Sequence, residues 1–67
     1  MLKLNERIKM LRTENHISQS QLAKALGVSQ KAVSLWESGD RVPSATAIAS
    51  LAKYFGVSAD YLLGLDE

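Results

Sequence analysis

Apolar side chains return along this chain at intervals of three and four, the period of helices that bury one face. Leu4, Ile8 and Leu11 make the inner stripe of a first helix over about residues 4–15, with Ile17 closing its exit. Leu22, Ala23 and Leu26 share one face of a second helix, 19–26, and Val33 and Trp36 one face of a third, 30–38. Ile48, Leu51, Ala52 and Phe55 form the inner face of a fourth, 45–55, and Tyr61 and Leu62 belong to a short fifth, 59–63. The residues between these stretches agree with the periodicity. Ser18, Ser29, Ser44 and Ser58 stand where a hydroxyl accepts from the unpaired N–H groups of a helix start. Gly27 and Gly56 stand where a left-handed residue ends one. The first helix has Asn15-His16 in that place, and both residue types are enriched at positive φ, so either can supply the turn. The pattern predicts an all-α, compact five-helix domain that takes in residues 1–67.

The second and third stretches are joined only by Gly27-Val28-Ser29, and so short a link forces two helices to cross steeply, as in a helix-turn-helix. The side chains suit such a crossing. Ala23 is small where a larger group would push the axes apart, Val33 is a stiff β-branched knob against Leu22 and Leu26, and Val28 is the apolar plug under the turn. On a wheel of the third helix at about 100° per residue, Gln30, Lys31, Ser34, Leu35 and Ser38 fall on one side and Ala32, Val33 and Trp36 on the other. The first side is either a solvated polar face or an edge that enters a major groove, where amide, ammonium and hydroxyl groups reach base edges.

Gln19, Leu22-Ala23, Leu26-Gly27-Val28-Ser29, Val33-Ser34, Trp36-Glu37, Gly39 and Pro43, continued by Leu51-Ala52, Phe55-Gly56-Val57-Ser58 and Tyr61-Leu62-Leu63, form one spaced set. With that set the chain resembles the Cro/repressor-type helix-turn-helix of phage and bacterial transcription regulators over nearly its whole length. The resemblance implies a lambda-repressor-like fold and sequence-specific binding of double-stranded DNA through helix 30–38. It further implies a regulator, in the simplest case a repressor acting by steric occupation, working as a homodimer on a palindromic operator in the cytoplasm of a bacterium or phage-infected host. Gln30 then pairs with adenine, Lys31 reaches guanine O6 and N7, and Ser34 contacts a base or a phosphate. Leu35 departs from the family, which mostly carries a polar residue there. It either touches a thymine methyl or packs on a neighbouring segment.

Free N–H groups at helix starts attract phosphate, so Ser18, Gln19 and Ser29 are read as backbone contacts, against plain caps and an exposed glutamine as the alternative. By the resemblance, the loop over residues 38–43 follows the DNA backbone with Ser38 and Arg41 as phosphate ligands and Asp40 turned to solvent. The resemblance also carries over a buried ion pair between Arg12 and Glu37, which explains an acid on a helix meant for a polyanion. Leu63 and Leu65 suit a dimer contact or ordinary core packing. Trp36 is assigned to the core, with Tyr54, Phe55 and Tyr61, rather than to DNA stacking.

Composition narrows the alternatives. Sixty-seven residues without cysteine form one small domain with no disulfide or thiolate metal site. Such a chain buries only about 60% of its unfolded surface, which leaves helix packing, or a dimer partner, to stabilise it. The net charge is only +1, but residues 1–41 hold seven basic against four acidic side chains. Residues 42–67 hold Lys53 against Asp60, Asp66 and Glu67, so the basic excess travels with the helix-turn-helix. No leader and no apolar run of membrane length is present, and no small-molecule ligand or cofactor is evident. An enzyme is disfavoured, because no carboxylate pair, nucleophile with a base, metal-ligand cluster or phosphate-binding glycine loop occurs. His16 has no second His or Cys to work with. A helical protein-interaction module remains the alternative to a DNA reader.

Overall fold

The computed structural model describes residues 3–65. Five helices follow one another: α1 (Leu4–Glu14), α2 (Gln19–Leu26), α3 (Gln30–Ser38), α4 (Ala45–Phe55) and α5 (Ala59–Leu63), with no strand among the described residues. Four of them start at serines. The Ser18 hydroxyl accepts from Gln21 N–H at 3.0 Å, and the Gln21 amide oxygen accepts in return from Ser18 N–H at 2.7 Å. That reciprocal box satisfies two of the N–H groups a helix start leaves open. Ser29, Ser44 and Ser58 accept in the same way from Ala32, Ala47 and Tyr61. Lys3 begins α1 without a side-chain acceptor, and there Glu6 reaches back to accept from Lys3 N–H at 2.9 Å.

The first helix closes at Glu14, a residue before the sequence expectation, with Asn15 as its cap and the Asn15 amide donating to Leu11 O. The left-handed turn that follows falls on His16, at φ 56°, the only non-glycine residue at positive φ among those described. The His16 ring is exposed, so the residue serves the path of the chain.

Each helix sends one fully buried side chain to the centre: Ile8, Leu22, Val33, Leu51 and Leu62. Leu11, Ala23, Trp36 and Ala52 complete the buried cluster, and Ile17, Leu26, Val28, Ile48, Phe55, Val57 and Tyr61 pack around it, half-buried. Burying each large aliphatic contributes about 1.5–3 kcal/mol, so a centre built from one per helix ties all five to a single folding event. The packing is asymmetric in a way that matters for the surface. Helix α3 rests on α1 and α2, whereas α4 and α5 pack on each other, α4 against α2 and α5 against α1.

Two side chains depart from the pattern in the sequence. Tyr54, expected among the core aromatics, is 45% exposed, its ring meeting Phe55 edge-on at 5.0 Å. One turn of α4 cannot turn both adjacent rings inward, and Phe55 takes the inner place. Arg7 is buried, with its guanidinium 4.4 Å over the Tyr61 ring and Nη1 donating to Tyr61 O at 2.6 Å. A charged group is buried when it is paired in this manner, and here it docks α5 onto α1. Of the acidic chain end, Asp66 and Glu67 lie outside the described residues.

Candidate nucleic-acid interface

Val33 and Trp36 are held at the back of α3, and the opposite edge is open. Gln30, Lys31 and Ser34 are exposed, and Leu35 is half-buried without joining the packed cluster. Gln30, Lys31 and Ser34 stay exposed with α4 and α5 packed in place. The first three residues thus form an exposed row of amide, ammonium and hydroxyl groups on a helix pinned by two buried side chains.

The polar groups around that row are ordered by a network centred on Glu37. Its carboxylate is 4% exposed and accepts from Arg12 Nε at 2.6 Å and Arg12 Nη2 at 3.1 Å. Gln19 Nε2 donates to the same carboxylate at 3.1 Å, and Arg12 Nη1 donates to Ile17 O at 2.8 Å. One acid therefore links the end of α1, the α1–α2 turn, the start of α2 and the last turn of α3. The hydrogen bond to Glu37 raises the Arg12 pKa above its ordinary value, with burial pulling the other way and the Glu37 charge adding to the rise. Arg12 is thereby neutralised within the fold and is not a spare cation. Among the described residues no buried side-chain nitrogen or oxygen lacks a partner.

Beside the network lies a shallow recess of about 280 Å³, lined by Lys9, Arg12, Gln19, Ser34, Glu37 and Ser38. It brings Gln19, Ser34 and Ser38, which the sequence singles out on separate grounds, to one rim, and it adds Lys9. Ser18 and Ser29 sit exposed at the starts of α2 and α3, each hydroxyl used as a cap. Across the α2–α3 crossing, the Ser20 hydroxyl donates to Gln30 Oε1 at 2.9 Å. Gln19 thus faces Glu37, while its neighbour Ser20 faces Gln30.

The loop after α3 is folded back on the helix. Leu35 O accepts from the Ser38 hydroxyl at 3.1 Å, from Asp40 N–H at 3.1 Å and from Arg41 N–H at 3.2 Å. Gly39 makes the reversal at φ 87°, a conformation that strains any residue with a Cβ. Asp40 is exposed, and its carboxylate, 2.9 Å from the Ser38 hydroxyl, competes with Leu35 O for that group's single hydrogen, so the hydroxyl is committed within the loop. Arg41 extends to solvent, and Pro43 is buried as the chain returns to the core.

Lys9 and Ser20 do not stand out in the sequence. Lys9 follows Ile8 on α1 and looks like any solvated lysine until the fold sets it beside Gln19 and Ser38. Ser20 reads as a helix-start residue, and its reach to Gln30 depends on the crossing angle. Among the described residues no three His, Asp or Glu side chains stand close enough to hold a metal ion, and no helix is long and apolar enough to cross a membrane.

Residues 8–62 match the sequence profile of the helix-turn-helix family. The HTH-type transcriptional activator BcrR of Enterococcus faecalis is 39% identical over 66 residues, which are 98% of this chain and 32% of that protein. Repressor protein C2 of Salmonella phage P22 is 38% identical over 60 residues, 90% of this chain and 28% of that one. This chain thus spans about a third or less of either relative's length. The crystal structure of the P22 c2 repressor in complex with a synthetic operator superposes with a TM-score of 0.91 at 36% identity, covering 98% of this chain and all of that one.

Proposed function

The chain belongs to the helix-turn-helix family, and from that premise we propose that it binds double-stranded DNA sequence-specifically, with α3 in the major groove, to regulate transcription. The observation that carries the reading is the open Gln30–Lys31–Ser34 edge backed by buried Val33 and Trp36. The P22 repressor, whose fold this chain shares closely, is itself bound to an operator in its crystal structure. Gln30 and Lys31 read base edges, Ser34 contacts a base or the adjoining phosphate, and Leu35 meets a thymine methyl from its half-covered place.

Ser18, Gln19, Ser29 and Arg41 hold the backbone, together with Lys9 at the recess rim. Gln19 has one amide hydrogen on Glu37 and the second left for a phosphate oxygen. Ser38 joins this set by turning its hydroxyl away from Asp40. The domain acts without cofactor or chemistry, occupying its site as a homodimer on a palindromic operator, and represses where that site overlaps the transcription start. Kinship with an activator makes recruitment the second reading, since the same docking serves either outcome.

Fluorescence anisotropy against a randomised duplex pool tests the proposal. Lys9 and Arg41 supply two phosphate-paired cations per protomer, four per dimer, which gives a log–log salt slope of about −3.6. Affinity then falls by about 150-fold between 50 and 200 mM salt. A dimer requires two half-sites about 34–36 Å apart. Binding that is flat with salt, or absent at low salt, transfers the protein to the interaction-module class.

A further inference from the structure

We propose that Asp40 competes with the DNA backbone for the Ser38 hydroxyl, an autoinhibitory contact that holds down affinity for every duplex. The inference rests on the DNA-binding reading above. Ser38 is the last residue of α3, Asp40 follows just past the Gly39 reversal, and both are exposed. A hydroxyl has one hydrogen to give. Two acceptors stand within its reach, Leu35 O at 3.1 Å and Asp40 Oδ2 at 2.9 Å. Leu35 O already accepts from Asp40 N–H at 3.1 Å and from Arg41 N–H at 3.2 Å. A carbonyl oxygen has two lone pairs, so those amides occupy it. The carboxylate is nearer and makes the stronger, charge-assisted bond, and the hydrogen goes to Asp40.

A backbone phosphate needs that same hydrogen, because its oxygens can only accept. Ser38 shares the recess with Lys9, Gln19 and Ser34, and Arg41 follows Asp40 directly. A strand held by Gln19 and Arg41 therefore passes the Ser38 hydroxyl. On docking, the hydroxyl exchanges one anionic acceptor for another, and the exchange contributes almost nothing. Asp40 loses its donor and is left beside the phosphate that took it. The Asp40 backbone does not move off to relieve this, since its N–H and that of Arg41 both hang from Leu35 O. The two anions then stand well within a Debye length of each other, about 10 Å at 0.1 M salt. The tether that fixes Arg41 for its grip thus also fixes the acid that opposes it, and the base-reading edge is left untouched.

The test uses the tightest duplex that the wild-type protein recovers from a randomised library, together with its single-pair variants, titrated by anisotropy. Ser38→Ala alone is expected to bind within about twofold of the wild type, because the hydroxyl is engaged both before and after docking. Asp40→Ala frees one hydrogen bond for the phosphate, which tightens every duplex alike by about three- to tenfold per half-site. Adding Ser38→Ala to Asp40→Ala takes that gain away, so the two changes are not additive. Asp40→Asn drops the charge but keeps an acceptor of the same shape, so it tightens binding by less. It also carries the comparison should Asp40→Ala unsettle the loop, which the thermal midpoint reads. Unchanged or weaker binding by both Asp40 variants overturns the inference and leaves the DNA reading intact. So does a Ser38→Ala loss of equal size in both backgrounds, since Asp40 would then act as a remote charge without holding the hydroxyl. If the wild-type protein recovers no duplex at all, it is the DNA reading that fails, and this inference with it.

Discussion

Glu37→Gln keeps the shape of the side chain at the centre of the polar network and removes its charge. The carboxylate it replaces is 4% exposed, its partner Arg12 13% exposed, and two charge-assisted hydrogen bonds of 2.6 and 3.1 Å join them. Each such bond is worth about 1.5–3 kcal/mol, and the guanidinium would be left buried beside a neutral amide. Breaking a buried pair from one side costs roughly 3–5 kcal/mol. A 67-residue domain at roughly 0.05–0.15 kcal/mol per residue has about 3–10 kcal/mol in all, so the single change consumes a third or more of it. Its thermal midpoint should fall by at least about 12 °C, taking about 4 °C per kcal/mol as the lower limit.

Urea or heat unfolding followed through Trp36, the sole tryptophan and the residue next to Glu37, reads this directly. The comparison that isolates the pair is Arg12→Leu with Glu37→Met. With both charges gone, the remaining loss is the hydrogen bonds to Ile17 O and from Gln19, about 1–2 kcal/mol. The double variant should therefore be more stable than either single one, because hydrophobic replacement of a whole buried pair is close to neutral. A Glu37→Gln loss below about 1 kcal/mol, or a double variant whose loss equals the sum of the two singles, would refute a buried, mutually dependent pair.

Three further outcomes are expected. Lys31→Ala should relax sequence preference at one base pair, whereas Arg41→Ala should weaken all duplexes alike and lower the magnitude of the salt slope by about one for each phosphate it neutralises, both read by anisotropy. Arg7→Met should cost about 1.5–3 kcal/mol by calorimetry, because Tyr61 O loses a charged donor, and should speed amide exchange in α5 ahead of the other helices. Gly27→Ala should cost about 1–2 kcal/mol from backbone strain alone, since φ is 72° and an added Cβ would meet nothing within 4 Å; a neutral result would show that the turn relaxes.

Local chemistry made most of the architecture legible. The serines and glycines that punctuate the chain act within three or four residues of themselves, so helix starts and ends, and the His16 turn, are written in short stretches. The apolar stripes act through a period that one chain displays in full. Arg7 could have been found the same way, for it stands three residues after Leu4 and four before Leu11, on the buried stripe; its charge argued against burial, and the contact with Tyr61 that helps to hold it lies 54 positions away. The same limit applies to the surface. The edge of Gln30, Lys31 and Ser34 follows from a wheel, but Lys9 at the recess, Ser20 on Gln30 and Gln19 on Glu37 join residues 10 to 29 positions apart or on different helices. Those pairings depend on the angles between helices, which a periodic pattern constrains only loosely.

The backward-folded loop after α3 has a mechanical outcome. Because the amides of Asp40 and Arg41 hang from a carbonyl inside the last turn of the helix, Arg41 shares the frame of Gln30 and Lys31 instead of drifting on a tether of its own. In the docking proposed above, a grip on the sugar-phosphate strand by Arg41 would set the depth and roll at which the whole helix sits against the bases. Mispairing at a single base under α3 would strain that grip several nucleotides away, so that discrimination would be felt by the complex as one rigid misfit rather than as a missing local bond.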